Sequence, residues 1–333
     1  MKLNQNSFLL LVTILLFFIM YGIGCVLFNA QGFSKTQNFL NLFISNAGLI
    51  VIGIGMTVVM ITGGIDISVG SFVAMGCMML AWMMEKGGVG AVPAVLIVLA
   101  TGIIFGLVQG FLVAYMDIQP FIVTLAGMFF ARGMTSIVHT DPFNVQNEAF
   151  VKLKDTRVIV PGMGSVNRIG KYVNAYVEIG VIVAILIVVI MFVMLRWTKL
   201  GRSFYAVGGN RQSALMLGIN VKKTRFLAHL LSGLLAGIAG YVYFLHVGSG
   251  AATHASGMEM NAIASSIIGG TLLTGGVGNI IGTFFGVLSL STIQNIVSSA
   301  GLDQAWWTGI TIAAMLCLFL VIQSVVLARK KRK

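Results

Sequence analysis

Residues 63–71 read GGIDISVGS, which sets an ionisable side chain, Asp66, between two isoleucines and directly behind a pair of glycines. The apolar run 42–62 precedes it and the run 66–84 contains its end. Each run has about the 20 residues of helix that a ~30 Å hydrocarbon core requires. The stretch therefore reads as a joint between two membrane helices, and the rest of the chain repeats the pattern. Further runs lie at 8–28, 92–115, 120–138, 176–195, 226–246, 259–274, 279–299 and 305–327, ten in all. Hydrophobic residues fill 58% of the 333 positions and charged residues 9%, with a mean hydropathy of +0.98, whereas a soluble domain is about a quarter charged. The runs show no ~10-residue alternation of the kind a β-barrel needs. The expectation is an all-α, polytopic membrane helix bundle forming a single domain over 1–333.

The net charge of +12 comes from basic residues in the joints and the tail, not from a basic face interleaved with aromatics, so nucleic acid is not the implied partner. With the N-terminus inside and ten spans, thirteen basic residues fall inside: Lys2, Arg196, Lys199, Arg202, Arg211, Lys222, Lys223, Arg225 and the tail Arg329 to Lys333. Seven fall outside: Lys35, Lys86, Lys152, Lys154, Arg157, Arg168 and Lys171. This bias predicts both termini in the cytoplasm. The run 8–20 follows a single lysine but lacks a small-x-small cleavage site, and reads as an uncleaved first helix. Cys25, Cys77 and Cys317 stand singly in apolar runs and read as core thiols.

Glycines recur four apart at Gly102, Gly106 and Gly110, at Gly233 and Gly237, and at Gly278, Gly282 and Gly286. That spacing clears one helix face for close backbone approach. "TGGIDISVGSFVAMG" from Thr62 and "IGGTLLTGGVGNIIG" from Ile268 both place glycine pairs and a polar turn between apolar runs. Matching Gly-broken segments suggest an internal repeat with a transport site at its interface. The external joint 139–175 is too short for a separate domain and is expected to form a structured lid or docking surface.

No G-x-x-x-x-G-K, H-E-x-x-H or C-x-x-C motif is present. Asp66 lacks the second carboxylate that acid–base chemistry needs, and Ser249 near His254 sits in an external turn, so catalysis is not expected. The four histidines, His139, His229, His246 and His254, are scattered and offer no metal site. The joint 196–225 is the most informative. Asn210 suits an N-cap, "RQSALMLG" follows as a short amphipathic helix, and Gly218 suits its stop. That helix displays Leu215, Met216, Leu217 and Ile219, which must meet either lipid or a partner.

"AVGGNRQSALMLGINVKKTR" at 206–225 resembles the coupling-helix segment of bacterial sugar ABC-importer permeases of the ribose, xylose and galactofuranose group. "GGIDISVGS", "TLAGMFFARG" at 124–133 and "IASSIIGGTLLTGGVGNIIGT" at 263–283 resemble that family's other signatures in order and spacing. The resemblance covers nearly the whole chain. "TLAGMFFARG" and "WWTGI" at 306–310 resemble one permease of the galactofuranose-type system. It implies a monosaccharide-import subunit of the bacterial cytoplasmic (inner) membrane, paired with itself or a sister permease. It also implies an external solute-binding protein and a tandem-domain ATPase, with ATP and Mg bound by that partner and no cofactor on this chain. By resemblance and chemistry, Gly208, Gly209, Asn210, Arg211, Ala214, Leu215, Gly218 and Ile219 would engage the ATPase.

For Asp66 three roles stay open: a cap on a helix starting near Ile67, an ion pair with Arg132, or direct contact with sugar. The polar residues within spans are the other pathway candidates: Ser68 beside it, then Asn46, Gln109, Asn261, Ser265, Gln294 and Asn295. Each could equally make an interhelical hydrogen bond. The alternative to an ABC importer is an ion-coupled secondary transporter, which would place several acidic residues in the spans. Here Asp66 alone is well inside, with Glu178 and Glu259 read as lying near span ends.

Overall fold

The computed structural model describes residues 5–166, 170, 172–302 and 304–331. Lys2, Arg168, Lys171, Arg332 and Lys333 of the charge reading lie outside the described residues. In chain order the helices are α1 Gln5–Leu27, α2 Thr36–Ile61, α3 Val69–Glu85, α4 Ala91–Ala114, α5 Pro120–Val138, α6 Glu148–Lys154, α7 Ile179–Trp197, α8 Lys199–Gly209, α9 Arg211–Met216, α10 Val221–Val247, α11 Met258–Ile268, α12 Ile280–Ser299 and α13 Ala305–Lys331. Four short strands accompany them: β1 Phe143–Asn144, β2 Arg157–Val166, β3 Tyr172–Glu178 and β4 Ser249–Gly250.

Seven helices (α1, α2, α4, α5, α7, α10 and α12) are long and apolar enough to cross a membrane. Two of the ten runs differ from expectation. The run 66–84 becomes helical only at Val69, and 259–274 is helical only to Ile268, because the double glycines and polar turns divert the backbone. Gly63 at φ +81° and Gly270, Gly275 and Gly276 at +88°, +86° and +72° occupy the left-handed region that glycine enters freely. At 1.5 Å per residue, α11 spans about 16 Å, half a bilayer core.

α2 is the axis of the bundle, buried almost throughout from Leu42 to Ile61. Its small residues set what packs on it: Gly48 lies against Tyr243 and Ala239 of α10, Gly55 against Leu235, and Gly53 against Thr283 of α12. The glycine strips read from the sequence are contact lines. Cβ atoms at Gly102, Gly106 and Gly110 would lie 2.6–2.8 Å from the carbonyls of Gly233, His229 and Phe226, so α4 and α10 touch backbone to backbone. Gly282 and Gly286 do the same against Gly269 and Ser265. Thr57, Ser266 and Thr283 bridge α2, α11 and α12 through their hydroxyls. In an environment without a hydrophobic drive between helices, such close approach and hydroxyl bonding are what hold the elements together.

The described residues of the joint 139–175 make contacts with the bundle. β1 pairs with β4 in antiparallel register, Phe143 opposite Gly250. β2 and β3 form a hairpin whose Tyr176 is clamped by Gln37 of α2, which accepts from its N–H at 2.9 Å and donates to its carbonyl at 3.3 Å.

Candidate functional site: the coupling segment and the helix breaks

Thr198 caps α8 by accepting from Gly201 N, and Asn210 caps α9 by accepting from Ser213 N at 2.9 Å, as expected for Asn at that position. Gly218, at φ +76°, ends the turn, and Asn220 caps α10 through Lys223 N. The short helix and both its signals were legible in the sequence. α8 was not, because "KLGRSFYAVGG" carries three glycines.

The segment has two faces. Leu215, Met216 and Leu217 are 65%, 87% and 79% exposed, and Gly209, Asn210, Arg211 and Gly218 are exposed with them. Ala214 is buried and Ile219 half-buried. Gly208 points inward: a Cβ there would overlap the Ile61 carbonyl at the end of α2 and lie 2.6 Å from Gly276 N. Gly276 N in turn donates to Ile61 O at 2.8 Å. Cβ atoms on Gly275 and Gly276 would meet the Gly63 backbone at 3.0 Å and the Gly209 Cα at 2.7 Å. The Tyr205 hydroxyl donates to Gly278 O at 3.0 Å, and burial raises its pKa to about 12. The glycine turns of the two segments singled out in the sequence, the one from Thr62 and the one from Ile268, therefore meet each other and the end of α8 in one knot of main-chain contacts.

Beside the knot is a cavity of about 410 Å³, bordered by Gly63, Gly64, Ile65, Asp117, Gln119, Pro120, Phe121, Arg211, Arg225 and Leu273. Arg225, 7% exposed, donates to Asp117 at 2.8 Å and holds that carboxyl below its ordinary range. Arg211 is lowered from its ordinary value, first by partial burial and then by the neighbouring Arg225.

Above the knot, Asp66 is 1% exposed and does not pair with Arg132. Its Oδ1 accepts from Ser68 N at 3.1 Å and from Ser68 Oγ, and its Oδ2 accepts from Ser232 Oγ at 2.7 Å. Gln109 donates to Ser68 Oγ at 2.9 Å. The helix starts two residues later than expected, at Val69, and Ser68 ahead of it makes no side-chain cap bond; Asp66 accepts from the Ser68 N–H before that start. Arg132 instead donates to the carbonyls of Ala252 and His254 at 3.0 and 2.8 Å.

Three pathway candidates, Asp66, Ser68 and Gln109, thus share one network, and the others stand apart. Asn46 donates to Ser291 and Leu42 O, and Ser265 to Ala262 O. Asn261 and Gln294 are half-buried. Asn295 lines a small polar cavity of about 160 Å³ with Asn38.

Sequence reasoning missed Ser232 and His229, although Arg225, His229 and Ser232 fall on one face of α10 at helical spacing. Glu259 stands in the first turn of α11, near the span end where the sequence places it; it is 9% exposed and lies against Gly70 in the first turn of α3. His229 Nδ1 and Glu259 Oε2 are buried without a hydrogen-bond partner among the described residues.

Long apolar helices around a buried axis, two of them broken where a short exposed apolar helix locks on, define a membrane transport subunit. The chain belongs to the family described as "Branched-chain amino acid transport system / permease component", which it matches over residues 38–320. It is a multi-pass permease of the inner membrane. It is 36% identical over 328 residues to the fructose import permease FruG of Bifidobacterium longum, covering 98% of this chain and 94% of that one. It is 37% identical over 292 residues to the inner membrane ABC transporter permease YjfF of Escherichia coli, covering 88% and 85%. With the ribose import permease RbsC of the same organism it shares 34% over 279 residues, covering 83% and 82%. No solved structure matches the chain. The family description names amino acids, while FruG and RbsC are named for sugars, so membership fixes the role and leaves the cargo to be argued.

Proposed function

We propose that this chain is the membrane subunit of an ATP-driven importer of a monosaccharide, a pentose or a hexose, with galactofuranose as one candidate. In this reading all ten runs cross or enter the membrane and both termini face the cytoplasm. A second permease, identical or a sister chain, completes the pathway, an external solute-binding protein delivers the sugar, and a tandem-domain ATPase supplies the motion. ATP and Mg belong to that ATPase.

One observation carries the reading. α9 and its C-cap expose three consecutive apolar side chains, Leu215 to Leu217, beside Arg211, while Ala214 is buried and Gly208 packs against the helix breaks. A partner that grips the exposed side moves α2 and the 269–279 break directly, because only main-chain contacts intervene. The named cargoes of FruG and RbsC favour a sugar over an amino acid, and neutral hydroxyls suit a bundle with few buried charges.

The test is reconstitution of the chain with its genomic neighbours encoding an ATPase and a binding protein. Sugar uptake that requires ATP, and is abolished by Ala214→Glu with membrane insertion intact, is the expected result. Uptake by this chain alone, driven by an ion gradient without ATP, overturns the proposal in favour of secondary transport.

A further inference from the structure

Between β4 and α11 the chain runs without helix over Ala251–Gly257, and its depth follows from what it touches. Gly250 lies against Met78 and Ala81, near the Glu85 end of α3. Cys77 Sγ is 3.2 Å from Ser249 O and 3.6 Å from His254 Nδ1. Glu259 reaches Gly70 in the first turn of α3. From Ala81 to Gly70 the helix falls about 16 Å at 1.5 Å per residue. The stretch therefore descends about half the depth of a ~30 Å apolar core.

Non-helical backbone at such depth has no hydrogen-bonding partners in hydrocarbon and persists only where protein covers it or water reaches it. Thr253 and Ser256 are nevertheless exposed, and Ala255 is held at φ +53°. Two side chains join them. Arg132 fixes the carbonyls of Ala252 and His254 and takes part in neither ion pair formed between described residues. Glu259 keeps Oε2 unpartnered although nine-tenths buried, and Gly70 leaves it room that any Cβ would fill. Ionisable groups kept at membrane depth line cavities or routes and not lipid.

We infer that Ala251–Gly257, with Arg132 and Glu259, lines the water-filled solute route and holds a monosaccharide there by its hydroxyls. The inference rests on the importer reading. A hydroxyl both donates and accepts: Arg132 supplies N–H donors and Glu259 an acceptor with free capacity. Asp66, with three donors already bound to it, has no comparable vacancy in this conformation.

Cysteine accessibility in the reconstituted importer tests this. In Thr253→Cys and Ser256→Cys, a water-soluble, membrane-impermeant maleimide should label both positions above the unsubstituted chain, and saturating sugar with its binding protein should slow that labelling severalfold. In Glu259→Gln the sugar imported per ATP hydrolysed should fall about tenfold, the scale of a lost hydrogen bond to a charged group, with partial recovery in Glu259→Asp. General misfolding would lower import and hydrolysis together. Labelling only by a lipid-soluble maleimide would place the stretch against lipid, and labelling by neither would place it in a dry subunit interface. Either outcome with ATP-driven sugar import intact overturns this inference and spares the importer reading, whereas loss of ATP dependence would remove the reading itself.

Discussion

Gly208→Ala should destabilise the protein even though helix propensity alone says the reverse. Alanine is favoured over glycine inside a helix by about 1 kcal/mol, and Gly208 is within α8. Its added methyl, however, would overlap the Ile61 carbonyl and stand 2.6 Å from Gly276 N, two backbone atoms bonded to each other at 2.8 Å. Neither has a rotamer to move aside. Overpacking costs about 1–3 kcal/mol, and losing the Gly276–Ile61 hydrogen bond adds about 1. Against the propensity gain, the net loss is about 1–3 kcal/mol. The neighbour supplies the control, since a Cβ on Gly209 meets nothing within 4 Å and Gly209→Ala should be neutral or gain up to about 1 kcal/mol. Adjacent, chemically identical substitutions should thus separate by about 1–4 kcal/mol. Thermal unfolding of the two purified variants in detergent is the assay. A Gly208→Ala variant at least as stable as Gly209→Ala would refute the knot as the mechanical contact.

Asp66→Asn should be milder than Asp66→Ala, because asparagine keeps an acceptor for Ser68 while alanine strands Ser68 and Ser232, at about 1–3 kcal/mol for each buried polar group left unpaired; folded yield and unfolding temperature read this out. Asp117→Asn should lower stability at neutral pH by leaving Arg225 without its carboxylate. Since Arg225 depresses the Asp117 pKa, that stabilisation is present above the ordinary carboxylate value of about 3.9 and is lost as pH falls through the depressed one. The gap between wild type and variant should therefore close in acid, and a gap independent of pH would exclude the pairing. Tyr205→Phe removes the bond to Gly278 O and should cost about 1 kcal/mol, measured by thermal unfolding. Gly106→Val, at a Cβ only 2.8 Å from the His229 carbonyl, should force α4 off α10 and abolish recovery of folded protein.

How much of this was legible in the sequence follows from the range of each interaction. Apolar runs and glycine spacing are local, so the helices and their contact lines could be read directly. Asn210 and Gly218 are local signals too, and the short helix between them stands where they place it. α11 starts at Met258, within one residue of the run read from 259, whereas the helix start at Val69 was not legible, because what keeps 66–68 out of the helix is distant, Ser232 binding Asp66. For the same reason Asp66 was offered a partner, Arg132, that the fold commits to another segment.

In the proposed importer, the breaks let the axis of the bundle serve as a lever. A continuous helix satisfies its own carbonyls up to its last turn, so an unbroken α2–α3 would offer Ile61 O to nothing. By stopping at Ile61, α2 frees that carbonyl to accept from Gly276, and the absence of side chains at Gly63, Gly208, Gly275 and Gly276 lets three segments close on it. The other end of α2 is fixed by equally short links, the two hydrogen bonds of Gln37 to Tyr176 in the β2–β3 hairpin. Between these ends the helix is buried and crossed by hydroxyl bridges from Thr57 to Ser266 and Thr283. Displacement of α8 and α9 must therefore appear at the hairpin and at α11, while side-chain rotation has little room to absorb it. Gln37→Ala should loosen the hairpin without touching the knot. Hydrogen exchange at Tyr176 N–H should then rise while protection at Gly276 N–H stays, and equal loss at both sites would show that the two ends are not independently fastened.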